Sequence, residues 1–366
     1  MPNKIITMDR QKKRLIKEKI LYFLSKRVNY PLAAPRNVTL TLNYICNQKC
    51  LMCDIKNRPF DRKLEIKVDE IKRIIDEMAG MNIPELVLTG GEPFLYDGLG
   101  EAIQHAKKKG IKVIVITNGY YDGALLRKIS ALGVDHFQIS LDGSTAQIYE
   151  EIRGVKDAFD VVINNIKTLI AMGQSVGATA TIVRQNYKDL MNIALLSRGL
   201  GCKRLALRPA HISNADPLLK ASSMSAFWIP REQVSDLKSV IKELKDFNAR
   251  TDYLDFSPGL DLLADYFEKG YLPLLKSCFI GYTRLIISYN EKDSYEVWMC
   301  GGMCGDIRKQ TLKDIWFGKR AAELRKKIRK CREVCLFPEL HEPDLIDLRT
   351  AASSVLRLLR EERRSG

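Results

Sequence analysis

The sequence predicts an α/β fold, a parallel sheet of six strand-and-helix units followed by a smaller C-terminal unit. Three observations predict it. Apolar runs of strand length alternate with helical patterns between Val38 and Arg208, polar turns close those runs at their C-terminal ends, and beyond Ser277 five of the nine cysteines gather. Alternating strand and helix implies parallel strands joined by crossovers, with functional loops at the C-terminal ends of the strands. Six units are too few for a closed eight-stranded barrel.

The strand-length runs occupy residues 38–42, 85–89, 111–117, 136–141, 176–183 and 204–208. Between them Ile71, Ile74, Ile75 and Met78 recur at helical spacing, and so do Phe159, Val162, Ile163, Ile166, Leu169 and Ile170. At 366 residues with 46% apolar side chains, the chain suits about two domains with a substantial core. Residues 37–210 form the strand-and-helix region, and residues 211–275 form a linker. The linker holds Phe227-Trp228-Ile229-Pro230 and Asp252-Tyr253-Leu254-Asp255-Phe256, which either line a substrate pocket or pack. Residues 276–340 form the cysteine-rich unit. Residues 341–366, with Leu345, Ile346, Leu348, Val355, Leu356, Leu358 and Leu359, read as a closing helix.

Residues 1–36 read as a basic amphipathic helix. Residues 1–27 hold nine Lys or Arg against Asp9 and Glu18, supplying +7 of the formal +15, and Ile16, Ile20, Phe23 and Leu24 fall at helical spacing among them. Such a helix either caps the sheet or rests on an anionic membrane surface or acidic partner. Nucleic acid is not expected as a partner, because no zinc finger, glycine-rich RNA loop or aromatic platform accompanies the charge. The four histidines lie far apart without paired-ligand spacing, and no Gly-x-Ser-x-Gly elbow is present, which argues against metal-assisted or serine hydrolysis. No run approaches the roughly 20 apolar residues of a membrane span, and the basic N-terminal segment lacks a signal peptide's long apolar core and small-residue cleavage site. A cytoplasmic location is therefore expected, where nine cysteines point to metal binding rather than disulfides.

Cys46-Asn47-Gln48-Lys49-Cys50-Leu51-Met52-Cys53 follows the first strand. Thiolates at this spacing can hold three irons of a four-iron, four-sulfur cluster from one tight loop and leave the fourth iron open. Zinc is the rival, although it usually takes four ligands and no fourth Cys or His lies near Cys53. Three buried inert thiols are the remaining reading, which the polar Asn47, Gln48, Lys49 and Asp54 disfavour.

Further motifs follow in order: Gly90-Gly91-Glu92-Pro93, Thr117-Asn118-Gly119, Ser140-Leu141-Asp142-Gly143 and Ile152-Arg153-Gly154. Together with the Cys46, Cys50, Cys53 loop they resemble the signature of the radical S-adenosylmethionine (radical SAM) enzymes. The resemblance implies a partial (β/α)6 TIM-like barrel in which an open iron chelates SAM. One-electron cleavage of the sulfonium then yields methionine and a 5'-deoxyadenosyl radical, which removes a hydrogen atom from a substrate carbon. It also implies site residues. Gly90, Gly91, Glu92 and Pro93 are expected at the methionine amino group, Ser140 and Asp142 at the ribose, and Arg153 at the carboxylate, with Asn118 and Leu207 also expected at the cofactor. Met52 stands where relatives commonly carry an aromatic residue against the adenine, and a thioether can fill that place.

Cys278, Cys300, Cys304, Cys331 and Cys335, with Gly305-Asp306-Ile307 and Leu312-Lys313-Asp314-Ile315-Trp316, resemble the C-terminal SPASM or twitch extension of the same enzymes. That resemblance implies one auxiliary four-iron, four-sulfur cluster held by Cys278, Cys300, Cys331 and Cys335, with zinc as the rival. Cys304 is then a spare ligand or a hydrogen-atom donor, and Cys202 a small core residue. A second cluster suits net oxidation of the substrate, and a thiol donor suits epimerisation. The segment before Cys46 is shorter than the leader-binding domain of many peptide-modifying relatives. A small-molecule substrate is expected, a sugar, nucleotide-sugar or lipid-linked intermediate. Peptide or protein maturation and a non-catalytic electron-transfer scaffold are the alternatives. The expected electron donor is a flavodoxin or ferredoxin-type protein.

Overall fold

Period-two patterning puts one face of the sheet under helices and leaves the other open. Val38 and Leu40 on β1 (Asn37–Thr41), Leu86 and Leu88 on β2 (Glu85–Thr89), and Val113 and Val115 on β3 (Lys112–Thr117) are fully buried. So are Phe137 and Ile139 on β4 (His136–Ser140), Ala178 and Ala180 on β5 (Val176–Ile182), and Leu205 and Leu207 on β6 (Leu205–Pro209). Their strand neighbours Thr39, Gln138, Ser140, Thr179 and Thr181 are half-buried on the opposite face. The structure is a computed structural model that describes residues 17–55, 62–210, 226–255, 260–269, 278–290 and 294–330.

Strands β1 to β6 pair in parallel in chain order. Helix α1 (17–28) precedes them, and α2 (Val68–Gly80), α3 (Leu99–Lys108), α4 (Gly123–Ser130), α5 (Ala146–Arg153), α6 (Ala158–Ala171) and α7 (Leu190–Leu200) connect them. Helix α2 buries Ile71, Ile74, Ile75 and Met78, the face its spacing predicts. On α6, Val162, Ile163, Ile166 and Leu169 are buried, and Phe159 and Ile170 pack at the edge of the same core.

The sheet continues at both edges. After α8 (Val234–Thr251) the two-residue β7 (Leu254–Asp255) pairs in parallel with β6, and α9 (Asp261–Lys269) follows. Beyond α10 (Ile280–Thr283), β8 (Arg284–Asn290) pairs in parallel with β1, so the C-terminal unit joins the same sheet. β9 (Ser294–Met299) and β10 (Gly302–Asp306) complete it as an antiparallel hairpin, and α11 (Leu312–Phe317) and α12 (Lys319–Arg329) close the described chain. The order is β10-β9-β8-β1-β2-β3-β4-β5-β6-β7.

The linker aromatics are packing. Phe227 is buried with Ile152, Val183 and Ala210, and Trp228 stacks at an angle on Tyr266 and Phe267. Tyr253 and Leu254 are buried, while Phe256 lies outside the described residues. Helix α1 packs on the C-terminal unit through Tyr22, which clusters with Phe279 and Tyr282, whereas Leu24, expected on its apolar face, is 43% exposed. Helical spacing alone did not separate these two faces, because Tyr22 carries a hydroxyl that reaches the Ala34 carbonyl at 3.2 Å. Ile16 and the expected closing helix at 341–366 lie outside the described residues. No described helix is long and apolar enough to cross a membrane.

These burials set a stability contrast. Ile75→Ala should cost about 2–5 kcal/mol by opening a cavity, and Leu24→Ala within about 0.5 kcal/mol. Urea unfolding followed by circular dichroism measures both.

Candidate functional site

The cysteine loop is held on both sides by backbone. Gly91 N donates to Asn43 O at 2.9 Å and Glu92 N to Ile45 O at 2.8 Å, so the turn after β2 extends the sheet along the base of the loop. A Cβ at Gly90 would stand 2.7 Å from Asn43 O, and one at Gly91 would run into the Ile45 carbonyl. Only glycines permit this approach. On the other side Lys49 N donates to Arg153 O at 3.0 Å and Leu51 N to Ile152 O at 2.9 Å. The loop thus satisfies carbonyls that the C-terminus of α5 leaves without helical partners. Gly154 caps that helix at φ 66°, where a Cβ would lie 2.6 Å from Lys49 O.

Cys46, Cys50 and Cys53 line one cavity of about 320 Å3 at the C-terminal ends of the strands, together with Met52, Gly90, Gly91, Asn118, Ser140, Arg153 and Thr181. That volume is in the range of small-molecule sites, roughly 300–1,000 Å3. Donors converge on the sulfurs. Gln48 N stands 3.4 Å and Asn118 Nδ2 3.7 Å from Cys46 Sγ, and an Arg153 amino group stands 3.6 Å from Cys50 Sγ. Hydrogen bonds to sulfur favour thiolates and tune a cluster's potential. Among the described residues no three His, Cys, Asp or Glu meet closely enough for a single metal ion. Met52 packs against the cluster of Ile152, Val183, Ala210 and Phe227, which makes it the apolar wall of the cavity.

Four of the expected cofactor contacts do not line the cavity. Glu92 is fully buried, and its carboxylate accepts from Phe94 N at 3.1 Å, Thr117 Oγ1 at 2.7 Å and Asn118 N at 2.8 Å. Burial pushes this carboxyl up to about 7, against those three donors and Arg153. The expected contact with an amino group is therefore corrected: Glu92 braces the strand ends from beneath. Pro93 begins the short turn of helix that follows, and Leu207 is buried in the core. Asp142 is buried too. Its carboxylate meets an Arg153 amino group at 2.6 Å and accepts from Thr181 N at 2.6 Å, so it holds the arginine rather than a ribose. Both corrections share one cause, since sequence gives a side chain's type and not the direction it takes from the strand end.

Arg153 itself faces the cavity. Burial alone would discharge it, but Asp142 and then Cys50 keep it firmly charged. Its Nε is buried with no hydrogen-bond partner among the described residues. A buried donor without a partner carries a desolvation cost that an anionic ligand removes. This orphan, the glycine cradle and the three thiols fit SAM bound to an iron–sulfur cluster.

In the C-terminal unit Cys278 is half-buried and Cys300 is exposed. Cys300 opens the two-residue turn between β9 and β10 at φ 57°, a conformation that favours glycine and costs a cysteine about 1–3 kcal/mol. Cys304 is buried and its thiol donates to Val297 O at 3.0 Å; burial pushes it up to about 12. Its expected role as hydrogen-atom donor is corrected, because it lies in the β9–β10 ladder and not among the cavity residues. Cys202 is a buried core thiol. Cys331 and Cys335 lie outside the described residues. Sequence reading missed Gln48 and Thr181. Gln48 is buried and donates from Nε2 to the Tyr149 hydroxyl at 3.3 Å, and its place inside the cysteine motif was the signal available.

Residues 40–196 match the radical SAM superfamily. The matched segment holds the cysteine loop, the glycine pair, Ser140 and Arg153. The match implies a four-iron, four-sulfur cluster and SAM as the cofactors of that segment. A Methanosarcina barkeri protein named Fe-coproporphyrin III synthase is 31% identical over 146 residues, 40% of this chain and 36% of that relative. The chain thus spans about a third of that protein's length. A second Methanosarcina barkeri protein, named AdoMet-dependent heme synthase, is 24% identical over 317 residues, 82% of this chain and 86% of the relative. Streptococcus suis SuiB bound to S-adenosylmethionine shares the fold at a TM-score of 0.65 and 14% identity, covering 83% of this chain and 73% of SuiB.

Two measurements test the bracing roles. The folded state raises the Glu92 pKa from 4.5 to about 7, so it binds more protons than the unfolded chain in that window. Stability from this group is present below about 4.5 and is lost as pH rises toward 7. Thermal melts of wild type and Glu92→Gln should therefore shift in favour of the variant between those values. Asp142→Asn should weaken SAM binding about tenfold by calorimetry while iron content holds, because a hydrogen bond to a charged group carries about 1.5–3 kcal/mol.

Proposed function

We propose that this radical SAM enzyme oxidises a small molecule of the haem-precursor class. The observation that carries the cofactor half of this reading is the buried, unpartnered Nε of Arg153 in the cavity shared by three cysteines. Cys46, Cys50 and Cys53 would hold the cluster, Arg153 the SAM carboxylate, Ser140 the ribose and Met52 the adenine. With Glu92 turned inward, the methionine amino group falls to the backbone beside Gly90 and Gly91. When bound, the cofactors supply one-electron cleavage of the sulfonium and a 5'-deoxyadenosyl radical. The chain's own part is to place the carboxylate with a fixed guanidinium and to keep one wall apolar with Met52, which packs against the buried cluster that holds Phe227.

The substrate half rests on the relative named AdoMet-dependent heme synthase, whose likeness covers 82% of this chain and 86% of that protein. The sugar or lipid-linked substrate expected from charge finds no support among these relatives. The likeness to SuiB, at 14% identity, speaks to fold alone. Cys278 and Cys300 would hold the auxiliary cluster with Cys331 and Cys335, and the strained turn at Cys300 supports that choice over the bonded Cys304. A redox centre there suits net oxidation.

Anaerobically reconstituted protein should lose about four irons per chain in the Cys46→Ala, Cys50→Ala, Cys53→Ala variant, the content of one cubane. Dithionite-reduced wild type should form 5'-deoxyadenosine, and the triple variant none. A porphyrin-precursor panel should then give a product oxidised by two electrons, detected by mass spectrometry. SAM left intact by reduced, iron-loaded wild type would overturn the cofactor half, and turnover of peptides alone the substrate half.

A further inference from the structure

The open face of the sheet carries a cation that the chemistry of the cavity does not use. Along β6, Leu205 and Leu207 are fully buried on the helix-covered face, so Arg208 projects from the opposite one. Arg208 pairs in register with Thr181 of β5, and Thr181 lines the cavity. Residues matched across neighbouring strands share a face, with the strands about 4.8 Å apart. Arg208 therefore stands one strand beyond the cavity wall, level with it along the strands.

Its guanidinium is held in place but only partly used. One amino group donates to Leu207 O and to Asp255 O, each at 3.0 Å, and the other donates to the Asp255 carboxylate at 3.0 Å. The side chain is 27% exposed, and none of the described residues accepts from Nε. A planar fork fixed by part of its donors aims the remaining ones in a set direction.

The wall leading to this arginine is graded. Ile116 of β3, which is 38% exposed, Ser140 of β4 and Thr181 of β5 line the cavity in strand order, and Arg208 of β6 comes next. Apolar surface gives way to hydroxyls and then to positive charge. Arg153, the arginine inside the cavity, is engaged by Asp142 and, in the reading above, by the SAM carboxylate. A second acid group would fall to Arg208.

We propose that Arg208 binds a carboxylate of the substrate and thereby sets which substrate carbon lies over the cavity. The proposal rests on the haem-precursor reading above, because such molecules join a flat apolar ring to carboxylate side chains. The ring would lie toward Ile116 while a carboxylate meets the guanidinium. Bonds between arginine and carboxylate are charge-assisted, and an arginine fixed beforehand by Asp255 loses little freedom on binding. The same bonds to Asp255 also pin the two-residue β7, a role that needs no ligand. The test separates the two roles.

The cluster-loaded, SAM-bound chain is titrated with coproporphyrin III and with its tetramethyl ester, which keeps the ring and removes the negative charges. Binding is followed by porphyrin absorbance. Arg208→Gln should weaken coproporphyrin III by about tenfold or more, the scale of a lost hydrogen bond to a charged group. Its affinities for the ester and for SAM should match wild type, and thermal melts check that it folds. Arg208→Lys, which keeps the charge without the fork, should lose less, and it carries the comparison if Arg208→Gln does not fold. Coproporphyrin III bound equally by wild type and both variants would overturn the proposal and leave the haem-precursor reading standing. Equal losses for acid and ester would show a structural pin alone and would also overturn it. Wild type that binds neither porphyrin would overturn the haem-precursor reading, and this proposal with it.

Discussion

Glu92 places a carboxylate in the angle between β2 and β3, and the shape of the cavity depends on where its hydrogen bonds go. One oxygen takes Phe94 N and Thr117 Oγ1, the other takes Asn118 N. Asn118 in turn donates from Nδ2 to Asn47 Oδ1 at 2.7 Å and toward Cys46 Sγ, and Asn47 donates to Tyr120 O at 2.6 Å. The cysteine loop is thereby tied to the end of β3 through polar contacts in a low-dielectric setting, where such bonds are strong and an unpaired group is costly. A buried acid is an expensive brace. It persists because three donors converge on it, and removing it leaves Thr117 and Asn118 without their acceptor.

The opposite wall hangs from α5 by the same logic. That helix ends on Arg153 and Gly154 directly over the loop, so its last carbonyls receive Lys49 N and Leu51 N while the Arg153 guanidinium turns into the cavity. Asp142, itself fixed by Thr181 N, sets the angle of the guanidinium. Planar arginine suits a carboxylate because it offers parallel donors in a rigid fork, and an arginine already held in place loses less freedom when the ligand arrives. The ion pair therefore belongs to the architecture of the site as much as Arg153 belongs to its chemistry.

The parts of this arrangement that repeat along the chain were legible in the sequence. Six strands and the apolar faces of α2 and α6 follow from spacing, and the three cysteines with their glycine pair announce a loop close to backbone. Orientation was not legible. Glu92 and Asp142 sit inside motifs that resemble a cofactor site, yet both turn into the protein, because burial and backbone donors decide direction. Strand β7 is too short to show a period at all. Cys300 and Cys304 are indistinguishable by position in sequence, and only the turn at one and the ladder bond at the other separate them. On α1, Tyr22 outcompeted Leu24 for burial because Phe279 and Tyr282 offered an aromatic seat, a long-range partner no local pattern contains.

The position of β1 links these local devices. It pairs with β2 on one side, bringing the glycine pair to the loop, and with β8 on the other, bringing the C-terminal unit. Side chains reinforce the second junction: the Tyr295 hydroxyl donates to Leu42 O at 3.2 Å and accepts from Ile66 N at 2.9 Å, and the Tyr44 hydroxyl donates to Tyr289 O at 3.0 Å. Leu42 and Tyr44 are the residues through which β1 runs into the cysteine loop. The base of the loop and the hairpin that carries Cys300 are therefore parts of one hydrogen-bonded sheet with a fixed register. Protein interiors packed in this way move as bistable or rigid bodies and do not stretch. Where a cofactor carries the hard step of a reaction, the protein contributes position. A sheet that fixes the cysteine loop against the cysteine-bearing hairpin supplies that position for both ends at once.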